Sequence, residues 1–241
     1  MPKAVLITGA SRGLGLALTR KFLNAGWQVY GLSRTKKYWK TALSKLPVNA
    51  KFSFHALDLT SEPQVKKFTA RLKGKPLDLL INNAGYGGDL LRLEETSVAE
   101  YQKIMNGNML SAFLMCKHFV PLMRKQKHGT IFNISSMAGQ RAVPKLAAYS
   151  MAKFGIVALS QAVAKENLDI PIKCLTICPG GMNTEMRAKI FGKEDAARQQ
   201  STDFVSETIF DVYENKIPVE SGGDIVIRHG KITAIHACPG V

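Results

Sequence analysis

Short apolar runs alternate with segments of helical periodicity along most of this chain. The run at residues 5–7 suits a buried strand, and it precedes a segment of about 14–25 in which Leu14, Leu18 and Phe22 recur at helical spacing. The same alternation predicts strands at 28–32, 52–57, 77–81, 130–134 and 173–177, and helices at about 63–72, 109–125 and 149–167. Repeated βα units of this kind are typical of a doubly wound parallel sheet with helices on both faces.

Local signals refine some of the predicted ends. Pro63 suits a first helical turn, the Ser-Val-Ala-Glu sequence at 97–100 predicts a capping box, and Pro121 is expected to disturb the long helix that contains it. The last segment, 224–235, reads as a strand, a turn at Gly230 and a second strand.

Composition fits one globular domain and excludes several other classes. The chain has 241 residues, of which 46% are apolar and 21% charged. These values suit a single α/β domain over residues 1–241, of the doubly wound type that the βα alternation predicts, with no linker and no internal repeat. The apolar stretches are far shorter than the ~20 residues that span a bilayer, and no signal peptide follows Met1. We therefore expect a cytoplasmic protein with no membrane partner.

The cysteines and histidines show no pattern of metal ligands. Cys174 and Cys178 lie on one predicted strand, about 13 Å apart by strand rise, which is too far for a disulfide. Cys116 and Cys238 are isolated, and no two histidines are paired at helical spacing. We predict reduced thiols and no metal site.

Tyr149 and Lys153 are four residues apart on a predicted helix, so their side chains share one face about one turn apart. A phenol is a weak acid at neutral pH, and a neighbouring ammonium favours the phenolate, so we expect Lys153 to lower the pKa of Tyr149. Ser136 falls at the C-terminal end of the strand at 130–134, where ligands bind in open α/β sheets. The three residues predict general acid–base chemistry, and the alternative is an aromatic ring packed by an aliphatic lysine stem.

A glycine-rich turn follows the first predicted strand. Residues 8–15 read Thr-Gly-Ala-Ser-Arg-Gly-Leu-Gly. The glycines allow the backbone to approach a pyrophosphate, which the following helix N-terminus attracts. The same letters spell the Gly-x-Ser-x-Gly elbow of hydrolases, but a hydrolase does not explain the other motifs. Strand, turn and helix together predict a dinucleotide site.

Taken in order, these motifs resemble those of the short-chain dehydrogenase/reductase family over most of the chain. The family's glycine pattern stands at 8–15, its Asn-Asn-Ala-Gly element at 82–85 and its Pro-Gly element at 179–180, with Thr184 following. The resemblance implies hydride transfer between a nicotinamide and a carbonyl or secondary alcohol. The family's catalytic positions fall on Asn108, Ser136, Tyr149 and Lys153.

The resemblance also implies a role for each catalytic residue. Tyr149 would be the general acid in reduction and the base in oxidation, and Lys153 would lower its pKa and bind the nicotinamide ribose. Ser136 would donate a hydrogen bond to the substrate oxygen, and Asn108 would hold a water that links Lys153 to solvent. The glycine before this asparagine departs from the family pattern, which leaves Asn106 as a nearby rival.

The end of the second predicted strand indicates NADP(H). A carboxylate there would favour NAD, but the chain has Ser33-Arg34, and Arg12 supplies a second cation for a 2′-phosphate. The alternative is that both arginines only decorate the surface. Asp58 matches the family position beside the adenine amino group, or it is an ordinary loop carboxylate. The expected cofactor contacts are Gly9, Ser11, Arg12, Gly13, Leu14, Gly15, Ser33, Arg34, Asp58, Leu59, Asn83, Ala84, Gly85, Tyr149, Lys153, Pro179, Gly180 and Thr184.

The chain is strongly basic, with a formal charge of +15 and a pI near 9.8. Its densest basic cluster, at residues 34–40, contains Tyr38 and Trp39, and it falls where the family meets the adenosine end of the cofactor. An anionic nucleotide therefore explains the cluster better than nucleic acid does. Basic charge elsewhere either steers an anionic ligand or is plain surface.

Segment 182–205 is predicted to form a mobile lid over the substrate, a small carbonyl compound or alcohol. Its cations would attract an anionic substrate such as a 3-oxoacyl thioester, or they are solvated charges balanced by nearby acids. A non-catalytic NADP(H)-binding redox sensor is the alternative function. Relatives pair their two long helices across subunits, so we expect a homodimer or homotetramer, although the C-terminus departs from the family pattern. The cations in and near the lid are Arg141, Lys145, Arg187, Lys189, Lys193 and Arg198.

Overall fold

The computed structural model describes residues 2–35, 38–39, 42, 44, 46 and 51–240. Three lysines of the basic cluster at 34–40 (Lys36, Lys37 and Lys40) lie outside the described residues. The described chain contains one eight-stranded sheet in the order β3-β2-β1-β4-β5-β6-β7-β8. Its strands are Ala4–Thr8 (β1), Gln28–Ser33 (β2), Phe52–Ala56 (β3), Leu79–Asn82 (β4), Gly129–Ile134 (β5), Ile172–Pro179 (β6), Asp224–Arg228 (β7) and Lys231–His236 (β8).

Helices connect most of the parallel strands, as the alternation of apolar runs predicted. The α-helices of the described residues are Gly13–Asn24 (α1), Glu62–Arg71 (α2), Val98–Met105 (α3), Ser111–Gln126 (α4), Ala147–Lys165 (α5), Glu185–Phe191 (α6), Lys193–Ala197 (α7) and Thr202–Tyr213 (α8). None of these described helices is long and apolar enough to cross a bilayer.

The long helix differs from its prediction at two points. It does not begin at Met109, because a π-helical turn at Asn106–Leu110 joins α3 to α4. It also runs through Pro121 without interruption. Proline removes the bond to the carbonyl four residues earlier, which belongs to exposed Lys117, so water can satisfy that oxygen.

Two apolar layers cover the two faces of the sheet. Consecutive residues of β1 alternate between them: Ile7 packs in the layer that contains residues of α1 and α8, and Leu6 packs in the layer that contains residues of α2, α4 and α5. Both side chains are fully buried. This arrangement confirms the prediction of a doubly wound α/β sheet with helices on both faces.

The sheet order creates a switch point between β1 and β4. From β1 the chain proceeds through β2 to β3 on one side, and β4 to β7 extend the sheet on the other. A crevice forms at such a point outside the C-terminal ends of the strands, where ligands bind in open α/β sheets. The glycine-rich turn after β1 and the Asn83–Gly85 segment after β4 both lie at this point.

The C-terminal segment forms the predicted strand–turn–strand. β8 pairs antiparallel with β7, and the turn residues His229 and Gly230 have φ values of 51° and 68°. Positive φ at both central residues is typical of tight hairpin turns. The hairpin ends on Asp224, which is buried and whose Oδ1 accepts a hydrogen bond from His236 Nδ1 at 2.9 Å. This hairpin supplies the last two strands of the sheet.

Candidate active site and cofactor cleft

Helix α5 places Tyr149 in its first turn and Lys153 one turn later. Lys153 is only 4% exposed, and its Nζ lies 5.5 Å from the centre of the Tyr149 ring. The ammonium donates a hydrogen bond to the carbonyl of Ile134 at 3.0 Å. Ser135 ties the helix to β5, because its hydroxyl donates to the backbone carbonyl of Lys153 at 2.8 Å. The spacing in sequence therefore corresponds to a real and buried juxtaposition.

Ser136 follows β5 and faces the same cluster. Its hydroxyl oxygen accepts a hydrogen bond from the backbone N–H of Ala138 at 3.1 Å. Its proton is therefore available for donation, and the side chain forms a hydrogen bond with Tyr149. The structure brings the three predicted catalytic side chains, Ser136, Tyr149 and Lys153, together at the end of β5.

Burial dominates the protonation of the two titrating groups. It raises the pKa of Tyr149 above the usual 10.0, and the hydrogen bond from Ser136 offsets only part of this. It lowers the pKa of Lys153 to about 8, although the neighbouring Cys178 acts in the opposite direction. The expected lowering of the tyrosine pKa by Lys153 is thus not found, because desolvation outweighs other influences on both groups.

Asn108 lies in the π-helical turn between α3 and α4 and is fully buried. Its Nδ2 donates to the carbonyls of Tyr86 at 2.7 Å and Ile104 at 2.8 Å, so the orientation of the amide is fixed. Its Oδ1 is buried with no hydrogen-bond partner among the described residues. A Cβ on Gly85 would be 2.8 Å from this oxygen and 3.8 Å from Lys153 Nζ, so both atoms face one small space beside the glycine.

The surroundings of Asn106 and Asn108 distinguish these two candidates. Asn106 is exposed, whereas Asn108 faces the catalytic cluster. Gly107 has a steric reason for its departure from the family pattern, because a Cβ there would lie 3.1 Å from Cβ of Tyr86. A larger residue at this position would require Tyr86 to move by a few tenths of an ångström. Tyr86 is distant along the chain, so no local sequence pattern indicates this contact.

The glycine-rich turn is held against the end of β4. The hydroxyl oxygen of Thr8 accepts from the backbone N–H groups of Asn83 and Ala84, both at 2.9 Å, and Asn83 Nδ2 donates to the Thr8 carbonyl at 2.9 Å. Gly9 has a φ of 67°, and a Cβ there would be 3.0 Å from Ala84 Cα. A Cβ on Gly15 would overlap the carbonyl oxygen of Gly9. Glycine is therefore required for this turn to pack as it does.

Two exposed arginines mark the end of the cleft near β2. Arg34 follows the last residue of the strand and makes no ion pair with any described residue. Arg12, within the glycine turn, pairs with Glu185 at 3.2 Å and stacks over the Tyr38 ring at 4.9 Å. Ser33 is already bonded, since its hydroxyl accepts from Trp39 Nε1 at 2.9 Å.

Some predicted cofactor contacts have constrained side chains. Leu14 and Leu59 belong to the two apolar layers, so only their backbone atoms are available to a ligand. Ser11 is also buried. Asp58 Oδ1 accepts from the backbone and hydroxyl of Thr60 at 3.0 and 2.8 Å, which is the geometry of an ordinary turn carboxylate. Its other oxygen has no hydrogen bond to a described residue.

The first part of the segment predicted as a lid lies against the glycine turn and the loop after β4. Thr184, which follows the Pro179–Gly180 element, caps α6, and its methyl group would be 3.4 Å from a Cβ on Gly13. Met186 and Ile190 on α6 pack against Gly87. Helix α6 thus connects the glycine turn to the loop after β4. The later part of segment 182–205 enters α8, where Val205 is buried in the core.

Two of the four cations in the predicted lid segment are paired with acids of the described chain. Lys189 approaches Asp89 at 3.6 Å, and Arg187 forms two bonds with Asp195 at 2.5 and 3.0 Å. These pairs match the interpretation of solvated charges balanced by nearby acids. Lys193, Arg198, Arg141 and Lys145 make no ion pair with a described residue.

Metal binding and disulfide formation have less support in the described part of the chain. No group of three or more His, Cys, Asp or Glu side chains is placed to hold a metal ion there. All four cysteines are free and buried, and Cys174 and Cys178 both lie on β6, as predicted.

A nicotinamide dinucleotide fits the residues that are present. The positive φ of Gly9 and Gly13 exposes backbone at the start of α1, where a pyrophosphate would be attracted. Arg34 and Arg12 supply cations at the adenosine end. The orphaned Oδ1 of Asn108 and the nearby ammonium face the opposite end of the same crevice.

Comparison with known proteins gives the same family. The short chain dehydrogenase model matches residues 3–195. The NADPH-dependent pterin aldehyde reductase of Arabidopsis thaliana is 30% identical over 228 residues, which is 93% of each chain. A 3-oxoacyl-(acyl-carrier-protein) reductase of Chlamydia muridarum is 33% identical over 190 residues, covering 76% of this chain and 75% of the relative.

Solved structures share the whole fold. Levodione reductase superposes with a TM-score of 0.87 at 22% identity, covering 95% of this chain and 96% of its own. The structure of ElxO with NADP bound superposes with a TM-score of 0.84 at 28% identity, covering 94% of this chain and 96% of ElxO. With its motifs, its sheet order and these matches, the chain belongs to the short-chain dehydrogenase/reductase family of oxidoreductases.

Proposed function

We propose that this protein is an NADP(H)-dependent oxidoreductase that reduces a carbonyl to a secondary alcohol, or catalyses the reverse reaction. The observation that carries the proposal is the cluster of half-buried Ser136 and Tyr149 with fully buried Lys153 and Asn108, beside the glycine-rich turn. If Tyr149 were only a packed aromatic ring, the polar side chains of Ser136 and Lys153 beside it would have no role.

The proposed mechanism assigns one task to each side chain. The nicotinamide, when bound, supplies or accepts the hydride. Tyr149 donates its phenolic proton to the substrate oxygen during reduction, and Ser136 donates a second hydrogen bond to the same oxygen. The Lys153 ammonium binds the ribose hydroxyls and stabilises the tyrosinate that remains. Asn108 Oδ1 accepts from a water that returns a proton to Lys153.

The raised pKa of Tyr149 suits reduction at neutral pH. A phenol that keeps its proton is ready to act as the acid, whereas oxidation first requires its deprotonation. Alcohol oxidation should therefore gain more from alkaline pH than carbonyl reduction does. Reduction is also the direction in which an NADPH-dependent relative is named.

The choice of NADP(H) rests on the arginines and on the relatives. Arg34 has no acidic neighbour at the end of β2, and Arg12 lies in the adjacent turn. The pterin aldehyde reductase is named as NADPH-dependent, and ElxO was solved with NADP bound. We expect NADPH to bind at least about tenfold more tightly than NADH, or ~1.4 kcal/mol.

The substrate is proposed at the level of a class. Segment 182–205 would act as the lid, and it brings Met186 and Ile190 to the cleft, so a carbonyl compound with an apolar part fits this surface. Reduction of a 3-oxoacyl thioester, the activity named for the Chlamydia relative, is the alternative substrate. A protein that binds NADP(H) only as a redox signal is the alternative function.

The oligomer is a further part of the proposal. Phe113 on α4 and Met151 and Phe154 on α5 are large apolar side chains that are 43–52% exposed. Exposed apolar groups on neighbouring helices indicate a protein interface. We propose that two copies pair through these helices, and the molar mass in solution tests this.

Fluorescence titration of the protein with NADPH and with NADH tests the cofactor. A screen of aldehydes and ketones, followed by loss of NADPH absorbance, then tests catalysis. Tight NADPH binding with turnover supports the enzyme. Tight binding without turnover of any carbonyl class would favour the redox sensor, and binding of neither nucleotide would overturn the proposal.

A further inference from the structure

A second concave surface lies at the edge of the sheet, away from the catalytic cluster. It runs between β3 and α2 and has a volume of about 350 Å³. We call it the β3–α2 groove. Phe54 and His55 line it from β3, and Gln64, Lys67, Phe68 and Arg71 line it from α2. None of the residues assigned to the cofactor's phosphates is among its lining residues.

The polar side chains in the groove are donors. Lys67 and Arg71 are four residues apart and therefore share one face of α2. Gln64 lies one turn earlier on the same face, and its carbonyl oxygen accepts from the backbone N–H of Asp58 at 3.2 Å. That bond fixes the amide, so its NH₂ group remains to donate. No aspartate or glutamate lines the groove among the described residues.

The charge around the groove is unbalanced. Segment 64–75 contains five cations and no acid, and none of the five forms an ion pair with a described residue. The acid of α2, Glu62, pairs instead with Lys117 at 2.7 Å and His118 at 3.1 Å on α4. Like charges four residues apart destabilise a helix, so helix stability does not explain this pattern. The five cations are Lys66, Lys67, Arg71, Lys73 and Lys75.

The unbalanced positive charge affects the pKa of His55. Burial lowers its pKa below 6.5, and the positive charges of Arg71 and Lys75 lower it further. The other groups that face the ring are the aromatic side chains of Phe68, at 5.0 Å, and Tyr30, at 6.5 Å. The lowered pKa favours the neutral imidazole, which can donate one hydrogen bond and accept another.

We propose that the β3–α2 groove binds a small phosphate-bearing molecule. Arg71 and Lys67 supply the charge, Gln64 supplies an amide donor, and the rings of Phe54 and Phe68 offer an apolar surface for the rest of the ligand. Arginine meets a phosphate in a two-pronged geometry, and the positive charges of Lys67 and Arg71 would repel cations. The site is additional to the cofactor cleft and does not depend on the proposed reaction.

Inorganic pyrophosphate is the probe, and the NMR signal of His55 is the local reporter. The starting protein carries Arg34→Gln, which weakens anion binding at the cofactor cleft. Pyrophosphate is expected to bind and to raise the pKa of His55, because a bound anion stabilises the imidazolium. By linkage, affinity should then increase as the pH falls through this pKa.

Two double variants separate the groove from general charge. Lys67→Gln/Arg71→Gln removes two groove cations, and Lys66→Gln/Lys73→Gln removes the same charge from exposed positions outside the lining. We expect the first to weaken pyrophosphate binding by about tenfold or more and to abolish the His55 response. The second should weaken binding by less than about threefold.

Two outcomes would overturn the proposal. Equal losses in the two double variants would show only a diffuse attraction to a basic surface. Binding of pyrophosphate at millimolar concentration without any change at His55 would place the anion elsewhere. All four substitutions are at exposed positions, and circular dichroism of each variant checks that folding is unchanged.

Discussion

The catalytic cluster is buried and the phosphate end of the cofactor cleft is exposed, although both are built on the C-terminal ends of the same sheet. Lys153 is 4% exposed and donates to a backbone carbonyl. The Arg12 side chain is 51% exposed and its partner Glu185 is 67% exposed. Desolvation therefore controls the first region, and screened Coulomb attraction controls the second.

This difference in exposure predicts how each region responds to a substitution. In the cluster, water cannot replace a lost side chain or screen a buried charge, so the effects of a substitution should be large and nearly independent of salt. At the phosphate end, water and ions replace a lost contact, so effects should be smaller and should fade as salt rises. Four predictions test this contrast, from the largest expected effect to the smallest.

Tyr149→Phe should lower kcat by at least about a hundredfold, because the reaction loses its proton donor. NADPH affinity should remain near wild type, since the ring and its packing are kept. Steady-state kinetics and fluorescence titration measure the two quantities. Nearly normal turnover in this variant would remove the phenol from the mechanism.

Lys153→Met should inactivate the enzyme and yet stabilise the fold by about 2 kcal/mol at pH 7, measured by urea unfolding without nucleotide. The ammonium is charged at pH 7 in both the folded and unfolded chains, and burial lowers its pKa from 10.5 to about 8, so the folded state carries a cost of about 3 kcal/mol. The lost bond to Ile134 offsets part of the gain.

The pH dependence of the free energy of unfolding tests the same residue. Between pH 8 and 10 the unfolded wild-type chain binds more protons at Lys153, so wild-type stability should rise relative to the methionine variant. Above pH 10 the raised pKa of Tyr149 acts in the opposite direction in both proteins, since the unfolded phenol ionises first. A stability difference that is constant from pH 7 to 10 would contradict the burial of a charged lysine.

Arg34→Gln should reduce the preference for NADPH over NADH by about tenfold, or ~1.4 kcal/mol. Because Arg34 is exposed, the effect should shrink as ionic strength rises. Lys173→Gln is the matched control. It also removes one exposed positive charge, but near the N-terminal end of β6, at the edge of the sheet opposite the cleft. Similar changes in both variants would indicate general attraction of the anionic cofactor rather than contact with its 2′-phosphate.

Glu185→Gln should give the smallest effect, an increase in NADPH affinity of about twofold with little change for NADH. The carboxylate pairs with Arg12 at 3.2 Å and so competes with a phosphate for that guanidinium. Asp89→Asn breaks the other lid ion pair, with Lys189, and serves as the control. Equal gains for both nucleotides would mean that lid opening, not phosphate recognition, is affected.

The sequence was most informative where local pattern decides the outcome. The βα alternation predicted the central strands and the helices on both faces, since apolar periodicity reports which side of an element is buried. Four-residue spacing brought Tyr149 and Lys153 together because the backbone between them is helical. The C-terminal hairpin was also predicted, from the glycine at its turn.

Other features required partners from distant parts of the chain. The choice between Asn106 and Asn108 depended on the π-helical turn and on contacts with Tyr86. The pairing of Arg12 with Glu185 joins residues 173 positions apart. No periodicity in a single sequence encodes such contacts.

The sequence by itself determined the family, the alternation of strands and helices along the chain and the identity of the chemical groups. Only the tertiary structure decided the protonation tendencies, because the desolvation of Tyr149 and Lys153 follows from packing of α3, α5 and β5 around them. It likewise gathered the uncompensated cations of α2 beside His55 on β3. Desolvation and electrostatic interactions act through space, whereas sequence patterns describe neighbours along the chain.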